Sequence, residues 1–376
     1  MNILIVIGTR PEAIKMLPLY IKFKSDTRFD IKLCVTAQHR EMLDQVLNVF
    51  NVIPDFDLDI MKKSQDLTSI TTQILNGLSE VFLMFKPSLI LVHGDTATTL
   101  STTISAYYHK IAIGHVEAGL RTWNKYSPWP EEGNRKVASA LVDFHFAPTQ
   151  TAKNNLLREN IASDQIFITG NTVIDSLFDI LNRLKNNPLE MKNLSGRFSF
   201  LNEKRKMILV TGHRRESFGD GFDRICKSLK IIASEFKDVD IVYPVHLNPN
   251  VKEPVLHQLS KINNIYLIEP QEYVPFVYLM NRSYIILTDS GGIQEEAPSI
   301  GKPVLVMRDT TERPEAIASG AVKIVGTDIE LITSNLRQLL TSNTEYLKMS
   351  NSKNPYGDGF ACDRIIDIIS SKFNLQ

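Results

Sequence analysis

Acidic, basic and imidazole side chains in this chain gather in short clusters, most of them directly behind a run of apolar residues. "GTRPEAIK" (8–15) brings Arg10 and Lys15, "HGDTATTL" (93–100) brings Asp95, and "GHVEAGLRT" (114–122) brings Glu117. "SPWPEEGNRK" (127–136) carries Glu131 and Glu132 on a loop stiffened by Pro128 and Pro130, and "TGHRRES" (211–217) carries His213, Arg214 and Arg215. Carboxylates grouped with an imidazole suit proton transfer. Cations at the start of a helix suit an anionic ligand.

Each cluster also has a plainer explanation. Thr9 and Glu12 have capping-box spacing and Pro11 is tolerated in a first helical turn, so a well-capped helix accounts for all three. Arg10 and Lys15 are left over, because a helix N-terminus disfavours cations unless an anion is present. Asp95 reads equally well as a helix N-cap. Glu117 follows an apolar strand, where a carboxylate needs an opening or a partner. Loop carboxylates such as Glu131 and Glu132 are most often simply solvated. A lone histidine is usually structural, but His213 beside two arginines at a strand end is a better contact for an anion or a leaving group.

The stretch "TDSGGIQEEAPSIGKPVLVM" (288–307) is the most telling. Each glycine in a helix costs roughly 1 kcal/mol relative to alanine. Gly291 and Gly292 in a first turn therefore suggest close approach of a ligand, and free N–H groups there suit phosphate. Glu295 follows within about a turn, where the helix dipole alone explains it. Glu296 beside a phosphate seat fits the vicinal hydroxyls of a ribose, as acidic groups do in dinucleotide folds. Together these spell a nucleoside diphosphate.

Apolar runs at 2–7, 31–36, 88–92 and 111–116, then at 206–211, 239–245, 264–269, 284–288 and 303–307, alternate with helix-like stretches. Continuous apolar strands between helices mean parallel sheets covered on both faces. The expected fold is α/β, with two doubly wound domains facing a central cleft. The domains expected are residues 1–170 and 171–360, with a C-terminal helix in 361–376 packing back on the first. The polar stretch 182–206 reads as surface connection. Every polar cluster above except the 127–136 loop lies at the carboxyl end of a strand, where such sheets bind ligands.

The 376 residues fit two domains, and 43% hydrophobic with 22% charged residues is an ordinary globular composition. Lys plus Arg and Asp plus Glu both total 42, which argues against a broad nucleic-acid or membrane footprint. Three scattered cysteines give neither a disulfide framework nor a zinc spacing. The N-terminus reads as a first strand rather than a signal peptide, so a cytoplasmic location is expected. No GxGxxG follows the first strand and no P-loop occurs, which disfavours nicotinamide enzymes and P-loop NTPases. No histidine pair has helical metal spacing, so no metal is expected.

In order along the chain, "GTRPEAIKM", "VTAQHREMLDQVL", "VHGDT", "GHVEAGLRT", "TGHRRESFG", "YPVHLNPNV", "LTDSGGIQEEAP" and "KPVLVMRDTTERPEA" look like the blocks of one family. End to end, the chain resembles the non-hydrolysing UDP-N-acetylglucosamine 2-epimerases. The resemblance implies two Rossmann-like domains of the glycosyltransferase-B type and no cofactor. It implies that Arg10 and Lys15 contact the nucleotide-sugar phosphates, that Gln271 and Phe276 border the uracil, and that Ser290, Gly291 and Gly292 cradle the diphosphate. Glu296 would hold the ribose, and Arg313 would complete the site. Asp95, Glu117, Glu131 and His213 match acid/base and active-site positions. Gln38, His39, Arg214 and His246 match a site for a second UDP-N-acetylglucosamine acting as activator, and a homodimer is implied.

The implied activity is reversible inversion at C2, giving UDP-N-acetylmannosamine for cell-surface polysaccharide synthesis. Elimination of UDP to a 2-acetamidoglucal, then re-addition, explains why several carboxylates would surround one ring. Alternatives are a retaining glycosyltransferase of the same fold, a hydrolysing epimerase, or a non-enzymatic sensor. The surplus of carboxylates beyond one for ribose argues against the last.

Overall fold

The computed structural model describes residues 1–37, 40–61, 65–311 and 313–375. The chain divides into two compact units, one of Met1–Asp179 with Tyr356–Gln376, the other of Ile180–Pro355. Unit 1 holds a seven-stranded sheet of β1 (Asn2–Ile7), β2 (Asp30–Val35), β3 (Phe56–Asp57), β4 (Leu89–His93), β5 (Ala112–Val116), β6 (Phe144–Ala147) and β7 (Ile166–Ile168). Unit 2 holds a six-stranded sheet of β8 (Lys206–Thr211), β9 (Val239–Pro244), β10 (Ile265–Ile268), β11 (Ile285–Thr288), β12 (Val304–Val306) and β13 (Val322–Ile324). The strand pairs are parallel in both sheets. Two doubly wound α/β units are thus present, as the alternation predicts.

The orders are β3-β2-β1-β4-β5-β6-β7 and β10-β9-β8-β11-β12-β13. Each order reverses beside its first strand, between β1 and β4 in one sheet and between β8 and β11 in the other. Chain leaving those neighbouring strands diverges, and the crevice at their carboxyl ends is where such sheets accept ligands. In unit 1 that places Gly8–Arg10 beside Asp95. In unit 2 it places Gly212–Arg214 beside Asp289–Gly292.

Burial on both faces holds these strands in the sheet. In β1, Ile3, Ile5 and Ile7 enter one core cluster while Leu4 and Val6 enter another. In β8, Ile208 and Val210 join a third cluster with Phe222, Leu229 and Leu287. A one-residue slip would swap every one of these side chains between faces, so the register that presents the strand-end loops is fixed by packing.

The units join at other residues than Gly170 and residue 360. Helix Thr172–Asn186 runs across the division. Its first turns stay with unit 1 because the Ser176 hydroxyl donates to Ile14 O and the Asp175 carboxylate accepts from Ala361 N (3.2 Å) and Cys362 N (2.9 Å). Helix Ala361–Lys372 packs in unit 1, with Cys362, Ile365 and Ile369 in the core cluster that includes β1. The stretch 182–206, read as surface connection, contains helix Pro188–Arg197. Asn187 caps that helix by accepting from Glu190 N at 3.2 Å, and Leu194 is buried. No helix among the described residues is long and apolar enough to cross a membrane.

Candidate active site

In unit 1 the loop after β1 is closed on itself by Glu12. Its buried carboxylate accepts from Gly8 N (2.8 Å), Thr9 N (2.7 Å) and the hydroxyls of Thr9 (2.9 Å) and Thr96 (2.6 Å). Gly8 has no room for a side chain, as a Cβ would lie 2.4 Å from Thr36 Oγ1 and 2.2 Å from Thr98 Oγ1. An anion is therefore already resident at the N-terminus of helix Arg10–Ser25. That supplies the negative charge whose absence made Arg10 and Lys15 look misplaced.

Lys15 turns to Glu117, with which it forms an ion pair; the Glu117 side chain is only 8% exposed. Glu117 follows β5 directly and has φ +64, the left-handed conformation that a non-glycine residue rarely adopts. Its Oε2 also accepts from Asn171 Nδ2 at 2.7 Å and lies 3.7 Å from His93 Nε2. Burial pushes this carboxyl upward, but Lys15 and His93 together overcome it and hold it well below the usual range. Gly94, at φ +69, makes the turn beside it, and its carbonyl bonds the buried His115 ring at 2.7 Å. Burial lowers the His115 imidazole to about 3, so the ring is neutral where it bonds Gly94 O.

Asp95 does not cap the next helix. Thr96 does, accepting from Thr99 N at 3.1 Å, and the Asp95 carboxylate is left to pair with Arg135. Arg135 also reaches Glu132 at 3.1 Å, and Asn134 Nδ2 donates to Asp95 O at 2.8 Å. Glu131 opens helix Glu131–Leu141, and its Oε2 is buried with no hydrogen-bond partner among the described residues. Glu132 is the opposite case. It is fully buried and accepts from Thr122 N (3.1 Å) and Trp123 N (3.0 Å), tying the 120s loop to the helix. The two neighbouring glutamates thus have different work, one tying a loop and one with an unsatisfied oxygen.

In unit 2 the buried Asp289 organises the ends of β8 and β11. Its Oδ2 accepts from His213 N (2.6 Å) and Arg214 N (2.7 Å), and its Oδ1 lies 3.1 Å from His213 Nδ1. Burial works to raise this carboxyl, but His213 and the two amides bring it below its ordinary value. The pairing leaves His213 Nε2 to the outside, and the His213 side chain is 43% exposed. The exposed His246 ring stacks on His213 at 5.7 Å between centroids. Burial lowers the His246 imidazole first, and His213 lowers it further.

Ser290, Gly291 and Gly292 form the turn between β11 and helix Gly291–Glu296. Gly291 faces Arg313, where a Cβ would come 3.4 Å from the guanidinium carbon. Arg313 Nε donates to the buried Glu295 at 2.8 Å. The two carboxylates after the glycines separate accordingly: Glu295 holds Arg313, while Glu296 accepts from the Tyr273 hydroxyl at 3.0 Å. Gln271 donates to Glu269 O at 2.5 Å and keeps a buried Oε1 without a partner among the described residues. Phe276 lies partly buried on helix Tyr273–Arg282. Gln38 and His39 lie outside the described residues.

Four partners escaped the sequence. Asp289 and Arg135 sit inside quoted motifs, and a buried acid directly before a glycine turn was the available signal for the first. Tyr273 and Asn171 carried none, since a tyrosine in an apolar stretch and an asparagine after a glycine read as core and turn. Among the described residues no group of three or more His, Cys, Asp or Glu is placed to hold a metal ion.

Two Rossmann-like units with polar clusters at the reversal points of both sheets define an enzyme of the glycosyltransferase-B structural class. The profile of the UDP-N-acetylglucosamine 2-epimerase family matches residues 21–370. The chain is 59% identical over 371 residues to the UDP-N-acetylglucosamine 2-epimerase of Yersinia pestis, with 99% of both chains covered. It is 57% identical to that of Escherichia coli O157:H7, again over 99% of each. The crystal structure of UDP-GlcNAc 2-epimerase from Neisseria meningitidis bound to UDP-GlcNAc superposes with TM-score 0.91 at 52% identity, covering 99% of this chain and 100% of that one. The chain belongs to the UDP-N-acetylglucosamine 2-epimerase family, and by that membership it is an isomerase.

Proposed function

We propose that this enzyme interconverts UDP-GlcNAc and UDP-ManNAc by eliminating and re-adding UDP. Unit 2 takes the nucleotide: Ser290, Gly291 and Gly292 meet the diphosphate with Arg313 behind them, Gln271 and Phe276 border the base, and Glu296 accepts from the ribose hydroxyls. Arg10 adds positive charge toward the phosphates. His213, oriented by Asp289, assists departure of UDP as the C1–O bond breaks, and preorganised charge there lowers the barrier.

Loss of the C2 proton to a carboxylate gives the 2-acetamidoglucal. Return of UDP to C1 with a proton delivered to the other face of C2 completes inversion. Glu117, Asp95 and Glu131 are the groups for these transfers. The observation that carries this proposal is Glu117, a buried carboxylate fixed at a strand end by Lys15 and Asn171, for which plain nucleotide binding has no use. In this view the enzyme is cytoplasmic and homodimeric, feeds polysaccharide synthesis, and takes a second UDP-GlcNAc near Arg214 and His246 as activator.

Proton NMR of UDP-GlcNAc with the enzyme in heavy water tests the proposal. UDP-ManNAc with deuterium at C2, formed without added acceptor or cofactor, is the expected result. Transfer to an added acceptor without C2 exchange would mean a glycosyltransferase, and free N-acetylmannosamine with UDP a hydrolysing enzyme.

A further inference from the structure

Among the described residues the polar contacts of Glu117 fall on one oxygen. Lys15 Nζ and Asn171 Nδ2 donate to Oε2, and His93 Nε2 lies 3.7 Å from the same atom. A Cβ built on Gly94 would meet Oε1 at 3.8 Å and no other atom within 4 Å beyond its chain neighbours. A carboxylate held by one oxygen presents the other in a fixed direction.

Among these partners Asn171 differs in what else it does. It is 2% exposed. Its Oδ1 accepts from Val173 N at 3.1 Å at the start of helix Thr172–Asn186, the helix that carries the chain out of unit 1. Its own N–H donates to Tyr356 O at 2.7 Å, on the segment where the chain returns. The Val173 amide on Oδ1 also fixes which end of the amide is Nδ2, so the donor on Glu117 is defined by the network. Outgoing chain, returning chain and the carboxylate meet on one residue, the first and last through its side chain and the returning chain through its backbone N–H. Backbone crowding reinforces this: a Cβ on Gly170 would stand 3.3 Å from Gly357 Cα.

We propose that Asn171 is a positioning residue for the epimerisation, fixing Oε2 of Glu117 so that Oε1 faces the sugar, and linking that carboxylate to the two strands of chain that cross between the units. The proposal rests on Glu117 handling the C2 proton. Among the described residues the charged and titratable groups facing Glu117 are Lys15 from helix Arg10–Ser25 and His93 from the end of β4. Asp175, on the same helix that Asn171 starts, faces Ala361 and Cys362 instead.

Asn171→Asp separates positioning from helix capping. Aspartate keeps the oxygen that accepts from Val173 N but replaces the donor on Glu117 with a second carboxylate. Expected are a fall in kcat of about tenfold or more with UDP affinity within about twofold of wild type. The acid limb of the kcat profile should move to higher pH, because like charge makes Glu117 harder to ionise. Asn171→Ser supplies a second variant with a shorter donor, expected to lose rate without the shift in the acid limb. In a Glu117→Gln background, Asn171→Asp should cost no further rate, since its effect passes through Glu117.

An unshifted acid limb in Asn171→Asp, or an equal loss of rate in the Glu117→Gln background, would overturn the proposal. Near-normal turnover of Glu117→Gln alone would instead remove the role of Glu117, a separate failure.

Discussion

Glu131 and Glu132 are adjacent in sequence and share a loop, yet the chain treats them oppositely. Glu132 lies fully buried under the Thr122 and Trp123 amides and Arg135, while Glu131 keeps a buried oxygen with no partner among the described residues. Removing a buried acceptor strands its donors, at about 1–3 kcal/mol per group. Glu132→Ala should therefore lower the thermal midpoint by several degrees and reduce soluble yield. Glu131→Ala should leave the midpoint within about a degree while cutting turnover at least tenfold. Calorimetry paired with the NMR assay distinguishes them, and equal destabilisation by both would contradict the assignment.

Glu117 makes a pH prediction at the same scale. Its folded carboxyl sits below the unfolded value of about 4.3. Its stabilising ion pair is fully present above that unfolded value and is lost as pH falls through the folded one. The gap in thermal midpoint between wild type and Glu117→Gln should stay flat from neutral pH to about pH 5 and narrow below about pH 4. A gap that widens on acidification would show that the carboxyl is protonated in the folded protein.

At the scale of elements, the strands with unbroken apolar runs were legible, because burial on both faces leaves no other composition possible. β3, β6, β7 and β13 were not read. β3 and β13 are short edge strands, and β6 is interrupted by His145, which is buried without a hydrogen-bond partner among the described residues. Burial lowers that imidazole to about 4, so it packs as a neutral ring, and a pattern of residue types cannot register this. Helix Pro188–Arg197 hid in a polar stretch because its one strong signal, Asn187 before Pro188, also reads as a turn.

The junction between units depends on tertiary contact and had no local signal. Asp175 ties the returning chain into unit 1, accepting the first amides of helix Ala361–Lys372. Asp175→Ala should cost about 1–3 kcal/mol in chemical denaturation, with early hydrogen exchange in 361–372. Unchanged protection there would mean that the apolar face of the helix alone holds it.

At the scale of the molecule, the strand-end polar residues were legible as a set, because doubly wound sheets concentrate ligands at that edge. Their individual duties were not. What each acid holds depends on a neighbour 18 to 40 residues away: Tyr273 for Glu296, Arg313 for Glu295, Arg135 for Asp95.

The two halves are wound alike, and in each the amides of the first strand-end loop are already met by a carboxylate, Glu12 in one and Asp289 in the other. The Glu12 carboxylate occupies the amides of Gly8 and Thr9, the same kind of main-chain donors that phosphate engages in related folds. The amino-terminal half thus carries a built-in impostor for the nucleotide's own charge, and a free pyrophosphate moiety would find those donors taken. Asp289 does the same to the His213 and Arg214 amides, so neither half offers an incoming phosphate these first-loop donors.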